Sequence, residues 1–343
     1  MKQLLNTLYV TIQGAYLAKD GEAVAVRVEN ETRLHVPIHN LGSIVCFGQV
    51  SCSPFLLGMC AERGVSVAFL TQNGRFLARV QGPTTGNVLL RREQYRQADD
   101  LAASAAITRS FVTAKVANSR YVIQRALRDR PDAAGAQQLH VAVRELGYHL
   151  DQLRNGSDLD GLRGIEGSAA RVYFDVFDHL LVQQKEDFFF RQRTRRPPLD
   201  NVNALLSFIY TLVRHDLVGA LESVGLDPAV GFLHRDRPGR PSLALDLLEE
   251  FRPYLADRLA LGLVNLRQLS KEDFERAESG GVVMRDEARK ALLVAYQKRK
   301  QEVVVHPFLG ERVAIGLLFH LQALLLARYL RGDLDAYPAF IVR

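Results

Sequence analysis

The chain has 343 residues and a mass of 38.4 kDa with 48% hydrophobic residues, enough for one large core or two modest ones, and two domains are expected. Its 44 Lys and Arg against 38 Asp and Glu leave a formal charge of +6 and a pI near 9.3, which admits a polyanionic partner without requiring one. The three cysteines, Cys46, Cys52 and Cys60, are odd in number and lack the C-x-x-C spacing of a structural zinc site, so they read as buried thiols in a reducing cytoplasm.

At the N-terminus, Lys2 precedes only a short apolar stretch before Asn6 and Thr7, with no small-residue cleavage site, so no signal peptide is expected. From Leu8 to Val80 the pattern is a series of short β-rich runs: LYVTI, AYLA, AVAVRVE, TRLHVPI, SIVCFG, VSVAFL and RFLARV. Turn signals such as Asp20-Gly21 and Asn73-Gly74 separate them, and several antiparallel strands are implied. One helix interrupts the series, with Ser53 as N-cap, Pro54 at its first position and Gly64 as its stop.

After the turn-rich stretch QGPTTGN (Gln81 to Asn87) the chain changes to long Ala- and Leu-rich segments of helical period. The expectation is therefore an α+β protein, with a mainly β domain over residues 1–90 and an all-helical domain over residues 91–343. Helices are expected over about 91–129, 137–155, 158–182, 201–224, 242–261, 285–302 and 311–332. The segment RQRTRRPP (Arg191 to Pro198) reads as a flexible, exposed loop. The most apolar run, Val313 to Ala327, contains His320 and Gln322 and stops short of the roughly 20 residues a bilayer requires, so it reads as a buried helix of a soluble protein without a membrane partner. The phosphate-binding G-x-x-x-x-G-K-[ST], the dinucleotide G-x-G-x-x-G and the zinc-protease H-E-x-x-H are all missing from the sequence, which removes the usual support for those three chemistries.

Glu166, in GIEGSAARVYFDVF, falls at the edge of an apolar arc built by Leu162, Ile165, Ala169, Val172, Tyr173, Val176 and Leu180. A carboxylate there needs a partner. Gly164 and Gly167 flank it, each costing about 1 kcal/mol relative to Ala inside a helix, which implies close approach of backbone or ligand. Taken alone, the helix is better explained by a boundary Glu paired with a nearby Arg such as Arg163. Further on, His234 precedes an Arg, Pro and Gly turn that leads into a helix carrying Asp246, Glu249 and Glu250 on one face. That face lies opposite the apolar arc of Ala244, Leu245, Leu248, Phe251 and Leu255, so by itself it describes a solvated acidic face. Together, a boundary Glu, a loop His and two helical carboxylates could form an oxygen-rich site with one imidazole, suited to Mg²⁺ or Mn²⁺ far better than to zinc.

The segments GIEG around Glu166, NALLSFIYTLV (Asn203 to Val213), VGFLH ending at His234, and ALDLLEEF with Asp246 and Glu249 resemble, in order, the motifs of the CRISPR-associated protein one family of spacer-acquisition integrases. LYVTIQGAYL, HNLGSIVCFG, SPFLLGMCAERGVSVAFL, NGRFLARVQGP and LLRREQY extend the resemblance over nearly the whole chain, and the details look most like the bacterial type I-C form. The resemblance implies a metal-dependent DNA endonuclease that joins the 3′-hydroxyl ends of a duplex to opposite strands of a CRISPR repeat by transesterification. It carries the metal ligands to Glu166, His234 and Glu249, with Asp246 supporting or contacting the metal and His234 neutral. Many relatives have Asp where this chain has Glu249, which leaves Glu249 and Glu250 hard to separate.

By the same resemblance the β domain makes a homodimer, the helical domain carries catalysis and double-stranded DNA binding, and CRISPR-associated protein two spaces two such dimers. An iron-sulfur end-trimming CRISPR nuclease is a further partner in some systems. Tyr210 lies in the helical motif placed near the site, where it could orient DNA or serve as an ordinary core tyrosine. Arg91, Arg92, Arg191, Arg193, Arg195, Arg196, Arg235, Arg237 and Arg240 are candidate phosphate contacts, each of which could instead be a solvated charge. Two other functions use parts of the same pattern: a metal nuclease acting on branched repair intermediates, and a DNA-binding subunit without catalysis.

Overall fold

A computed structural model of the chain describes residues 7–29, 31–72, 74, 76–80, 82, 88–155, 158–278 and 280–342. Asn73 of the second turn signal and most of the QGPTTGN stretch lie outside them. The chain forms two compact units: residues 1–86 with 289–303 and 314–317, and residues 87–288 with 304–313 and 318–343.

The first unit contains β1 (Thr7–Val10), β2 (Tyr16–Asp20), β3 (Ala23–Val28), β4 (Glu31–Pro37), β5 (Ser43–Phe47), β6 (Ser51–Cys52), α1 (Pro54–Arg63), β7 (Ser66–Leu70) and β8 (Phe76–Val80). They build two four-stranded sheets, in the orders β1-β5-β7-β8 and β4-β3-β2-β6. The pairing is mixed: β2 with β3, β3 with β4 and β7 with β8 are antiparallel as expected, whereas β1 with β5, β5 with β7 and β2 with β6 are parallel. Local alternation reports which side of a strand is buried, not the direction of its neighbour, so the crossovers were not visible in it. The Asp20-Gly21 signal does close the β2–β3 hairpin, with Gly21 at φ +56. α1 is capped as expected, Ser53 Oγ accepting from Leu56 N at 3.2 Å and Gly64 ending the helix at φ +66. Leu17, Val24, Ile44, Cys46, Leu56, Cys60 and Val67 form its core, and none of the three cysteines is in a disulfide.

The second unit is built on helices. It contains α2 (Val88–Asp99), α3 (Leu101–Asp129), α4 (Ala136–Arg154), α5 (Leu159–Asp175), α6 (Asn201–Ser223), α7 (Ser242–Phe251) and α8 (Arg258–Asn265). Then follow the strands β9 (Phe274–Arg276) and β10 (Val282–Met284), α9 (Asp286–Gln301), β11 (Val303–Val305), β12 (Arg312–Ala314) and α10 (Ile315–Leu330), parts of which join the first unit. Two small two-stranded sheets, β9 with β10 and β11 with β12, thus stand where an all-helical domain was expected. Three-residue strands are too short to show a period.

Two details of the helices matter for the site. α6 is long and apolar enough to cross a membrane, but 61% of its apolar window is buried within the protein, so its apolarity serves the core. The single helix expected over about 242–261 is instead α7, a π-helical turn at Arg252–Asp257 and α8. Pro253 has no N–H to give the helical ladder and crowds the preceding turn, and the chain widens there. α3 packs against α4, α5 and α7, and α6 also packs on α7, so α3, α5 and α7 meet around one interior region.

Candidate active site

α5, α7 and the loop between α6 and α7 carry the acidic and imidazole groups. Asp158 begins α5 by accepting from Gly161 N at 2.8 Å, and Glu166 follows two turns later. Arg163 is not its partner: it pairs with Asp160 at 2.7 Å and donates to the Leu233 carbonyl at 3.0 Å. Glu166 instead pairs with Lys115 of α3. A Cβ on Gly164 or Gly167 would meet no protein atom within 4 Å, so these glycines face open space and not a crowding backbone.

The face bearing Asp246, Glu249 and Glu250 is buried, with exposures of 0%, 2% and 0%, contrary to a solvated acidic face. Each carboxylate has its own set of donors. Asp246 accepts from the backbone N–H groups of Phe232, Leu233 and His234 at 2.6, 3.0 and 2.9 Å, and from His234 Nδ1 at 2.6 Å. Gly231 permits this wrapping, because a Cβ there would lie 2.7 Å from Asp246 Oδ2 and 2.8 Å from the Ser242 carbonyl carbon. A carboxylate only accepts, so Nδ1 carries the imidazole proton and Nε2 is left as the nitrogen with a lone pair. Asp246 is therefore a positioning residue for His234.

Glu249 faces Lys115 and Arg252. Its Oε2 lies 2.7 Å from Lys115 Nζ and its Oε1 3.0 Å from an Arg252 nitrogen. Oε2 is fully buried against the Lys115 ammonium, with no second hydrogen-bond donor on it among the described residues. Burial works against the charge, yet Arg252 and Lys115 hold the carboxyl down at about 2. Burial also opposes the Lys115 ammonium, and Glu249 and Glu166 more than offset it, keeping its pKa above the ordinary lysine value.

Glu250 turns the other way. It accepts from the Tyr337 hydroxyl at 2.6 Å, Gln322 Nε2 at 2.9 Å and Phe340 N at 2.6 Å, all neutral donors, and burial pushes its carboxyl up to about 7. Asn118, one turn beyond Lys115 on α3, donates to the Glu250 and Phe340 carbonyls at 2.8 and 2.9 Å and ties the C-terminal segment to α7. The geometry thus separates Glu249, which shares a cation with Glu166, from Glu250, which does not.

Tyr210 is a core residue. Its hydroxyl donates to Asp257 at 2.6 Å, and its ring lies between the guanidinium groups of Arg252 at 4.9 Å and Arg193 at 5.3 Å. Buried this way, it has no face free for a DNA base. Arg193 turns inward from the arginine-rich segment to Asn203 Oδ1 at 2.7 Å and Ser207 Oγ at 3.1 Å. The segment is a loop as expected, but an anchored one: Val282 N donates to the Pro198 carbonyl at 2.8 Å.

Arg191, Arg195 and Arg196 remain exposed, as do Arg235 and Arg237. Arg240 is held below its ordinary pKa by burial and by the like charges of Arg237 in its own loop and of Arg195 in the other arginine-bearing loop, with Asp246 opposing. Clustered guanidiniums repel one another, and an anion placed among them relieves that repulsion. Arg235 reaches Asp160 at 3.4 Å. Arg91 and the exposed Arg92 lie on α2, where Arg91 acts electrostatically on Tyr95, and the structure does not bring them into the carboxylate cluster.

Among the described residues no three His, Cys, Asp or Glu side chains are already gathered about one point, and the Lys115 ammonium stands where Glu166 and Glu249 converge. The donor set still fits a hard divalent cation: two carboxylates from different helices directed at one positive charge, and an imidazole whose far nitrogen is fixed by a carboxylate. Sequence reasoning missed Lys115, Asn118 and Arg252. The available signal was a Lys and an Asn at helical spacing on the face of α3 that also carries Phe111 and Val122.

Comparison with known proteins gives one family. The family described as CRISPR associated protein Cas1 matches residues 8–298. A CRISPR-associated endonuclease Cas1 of Chlorobaculum tepidum is 55% identical over 343 residues, covering all of both chains. A CRISPR-associated exonuclease Cas4/endonuclease Cas1 fusion of Geobacter sulfurreducens is 34% identical over 98% of this chain and 60% of its own length. Among solved structures, a casposase bound to integration product superposes with a TM-score of 0.83 at 22% identity, covering 97% of this chain and 93% of the other. A chain of a Cas6-RT-Cas1–Cas2 complex superposes with a TM-score of 0.83 at 23% identity, covering 100% of this chain and 36% of the other. At those identities the structural likeness establishes the fold.

Proposed function

This chain belongs to the Cas1 family of CRISPR-associated proteins, and on that premise we propose that Glu166, His234 and Glu249 form a divalent-metal centre for DNA strand transfer. The protein is a CRISPR-associated endonuclease, which we read as the integrase of spacer acquisition. The observation that carries the metal reading is the convergence of Glu166 and Glu249, from two helices, on a single positive charge beside a histidine held by Asp246.

Bound there, Mg²⁺ or Mn²⁺ supplies Lewis-acid polarisation of a phosphate and stabilises the charge that develops on it. Asp246 fixes the His234 ring through Nδ1 and presents Nε2. Arg252 holds Glu249 from the side away from Lys115. Arg195, Arg237 and Arg240 offer phosphate contacts that place the DNA beside the acidic cluster, and exposed Arg196 and Arg235 extend that surface. The 3′-hydroxyl of the incoming duplex attacks a repeat phosphate and the bridging 3′ oxygen leaves, so one phosphodiester replaces another and no high-energy cofactor is needed.

The partners follow as part of the same proposal. The Cas6-RT-Cas1–Cas2 complex supports a Cas2 companion, and the Geobacter fusion supports a Cas4 link. We assign homodimer formation to the strand-rich unit by family resemblance, and a cytoplasmic setting by the three free thiols. The finer assignment to type I-C rests on motif likeness, and the genes beside its own decide it.

Duplexes ending in 3′-hydroxyl or 3′-phosphate, offered with a supercoiled repeat-containing plasmid, Cas2 and Mn²⁺, test the reaction. Integration lengthens target strands on a denaturing gel for the hydroxyl duplex only. Shortened strands with equal yield from both duplexes would assign the centre to hydrolysis of the kind a repair nuclease performs.

A further inference from the structure

The place where the two metal-binding carboxylates converge is held by a side chain that strand transfer does not use. Lys115 lies midway along α3 and is only 8% exposed, yet its ammonium pairs with Glu166 of α5 and, at 2.7 Å, with Glu249 Oε2 of α7. This is not a surface ion pair that solvent would screen: the Lys115 side chain is 10% exposed and that of Glu249 3%. Arg252 takes the other oxygen of Glu249 and lies over the Tyr210 ring at 4.9 Å. The two cations on Glu249 therefore differ in kind. Arg252 is locked by stacking, while Lys115 is a point charge on an unbranched stem that can swing.

We propose that Lys115 is an internal counter-cation that holds the site together when metal-free, and that a divalent ion enters by exchange with its ammonium. The proposal rests on the reading of Glu166, His234 and Glu249 as metal ligands. Two carboxylates in a dry interior repel strongly, so without a cation they would separate or take up a proton. Lys115 supplies one positive charge at that point. A divalent ion bound about 2.1 Å from the same oxygens would fall in the space the ammonium fills, and two cations that close repel. Both cannot stay.

Exchange has a measurable cost in affinity. If the ammonium occupies the carboxylates most of the time, apparent metal affinity falls in proportion to the fraction of molecules in which it is withdrawn. Removing the ammonium lifts that restriction but leaves the metal-free carboxylates without their counter-charge. Exchange therefore predicts tighter metal binding together with a less stable metal-free protein, a combination that a purely structural lysine would not produce.

The test is Mn²⁺ titration by calorimetry, with thermal unfolding, on the full-length wild type and Lys115→Met. Expected is a Kd for Mn²⁺ about tenfold lower in the variant. A lower metal-free unfolding midpoint and a larger upward shift on adding Mn²⁺ should accompany it. An equal or higher Kd in the variant, with Mn²⁺ binding intact in the wild type, overturns the exchange and leaves the metal reading standing. Absence of Mn²⁺ binding in both overturns the metal reading along with it. Should Lys115→Met not fold, reductive methylation of wild-type lysines read by mass spectrometry serves instead: Mn²⁺ is expected to speed modification of Lys115, and an unchanged or slower rate contradicts exchange.

Discussion

Glu249 and Glu250 are consecutive residues on α7, equally buried, and they live in opposite electrostatic worlds. Glu249 sits between two cations and is held ionised, with its carboxyl at about 2. Glu250 sits among a tyrosine hydroxyl, an amide and a backbone N–H, and burial raises it to about 7. A helix turns about 100° per residue, enough to aim neighbours at different surroundings. The lesson is that burial alone does not decide whether a carboxylate is charged: the charge or neutrality of the donors does.

Replacing Glu249 should break this comparison most severely. Glu249→Ala leaves Lys115 and Arg252 buried without their shared anion, and a cost of about 3–5 kcal/mol is expected in denaturant unfolding at neutral pH. Cutting Glu166 back should cost less, because its side chain is 26% exposed and water can replace the pairing. A Glu249→Ala variant as stable as wild type would mean that the cations find other partners and the pairing is incidental.

The pH dependence sharpens the same contrast. Glu249 binds its proton less tightly folded than unfolded, so its contribution is full above pH 4.5 and is lost as pH falls toward about 2. Glu250 has the opposite sign: its contribution is full below pH 4.5 and is lost as pH rises through about 7, a change on the order of 3 kcal/mol. Glu250→Gln, neutral at all these pH values, should flatten the decline in stability between pH 4.5 and 7. An unaltered slope in that variant would show that another group is responsible.

The smallest effects belong to the arginine-bearing loop, which the structure divides between packing and surface. Neutralising exposed Arg195 and Arg196 should weaken duplex binding and reduce the log-log salt slope by about 0.9 for each phosphate they had neutralised. Arg193→Ala should lower the unfolding midpoint and leave that slope unchanged, since Arg193 serves Asn203, Ser207 and Tyr210. Equal slope changes from both would mean that Arg193 leaves its pocket to meet DNA.

Much of the architecture could be read from local chemistry: the caps of α1, the spans of α4, α6 and α9 and the order Glu166, His234, Asp246, Glu249 are all set by short-range pattern or motif, whereas the one helix expected over about 91–129 is divided into α2 and α3 at Asp100, which caps α3. What could not be read depends on contacts between distant segments. Parallel pairing of β1 with β5 is one case, and the joining of residues 289–303 to the first unit is another. The acidic face of α7 looked solvated because it opposes an apolar arc, but the donors that permit its burial come from distant segments: Lys115 of α3 and Arg252 of the π-helical turn for Glu249, residues 232–234 for Asp246, and Gln322, Tyr337 and Phe340 for Glu250. Tyr210 and Arg193 carried the chemistry of nucleic-acid contact, and packing directed both inward. Residue type announces what a side chain can do, whereas its partners fix what it does.

The most direct test of the division along α7 is strand joining by Glu249→Gln and Glu250→Gln, measured as lengthened target strand on a denaturing gel with Mn²⁺, Cas2 and equal bound duplex. A metal centre that uses Glu249 and not its neighbour predicts no joined product from Glu249→Gln and joining close to wild type from Glu250→Gln. Joining by Glu249→Gln at the wild-type rate, or its loss in Glu250→Gln alone, would contradict it.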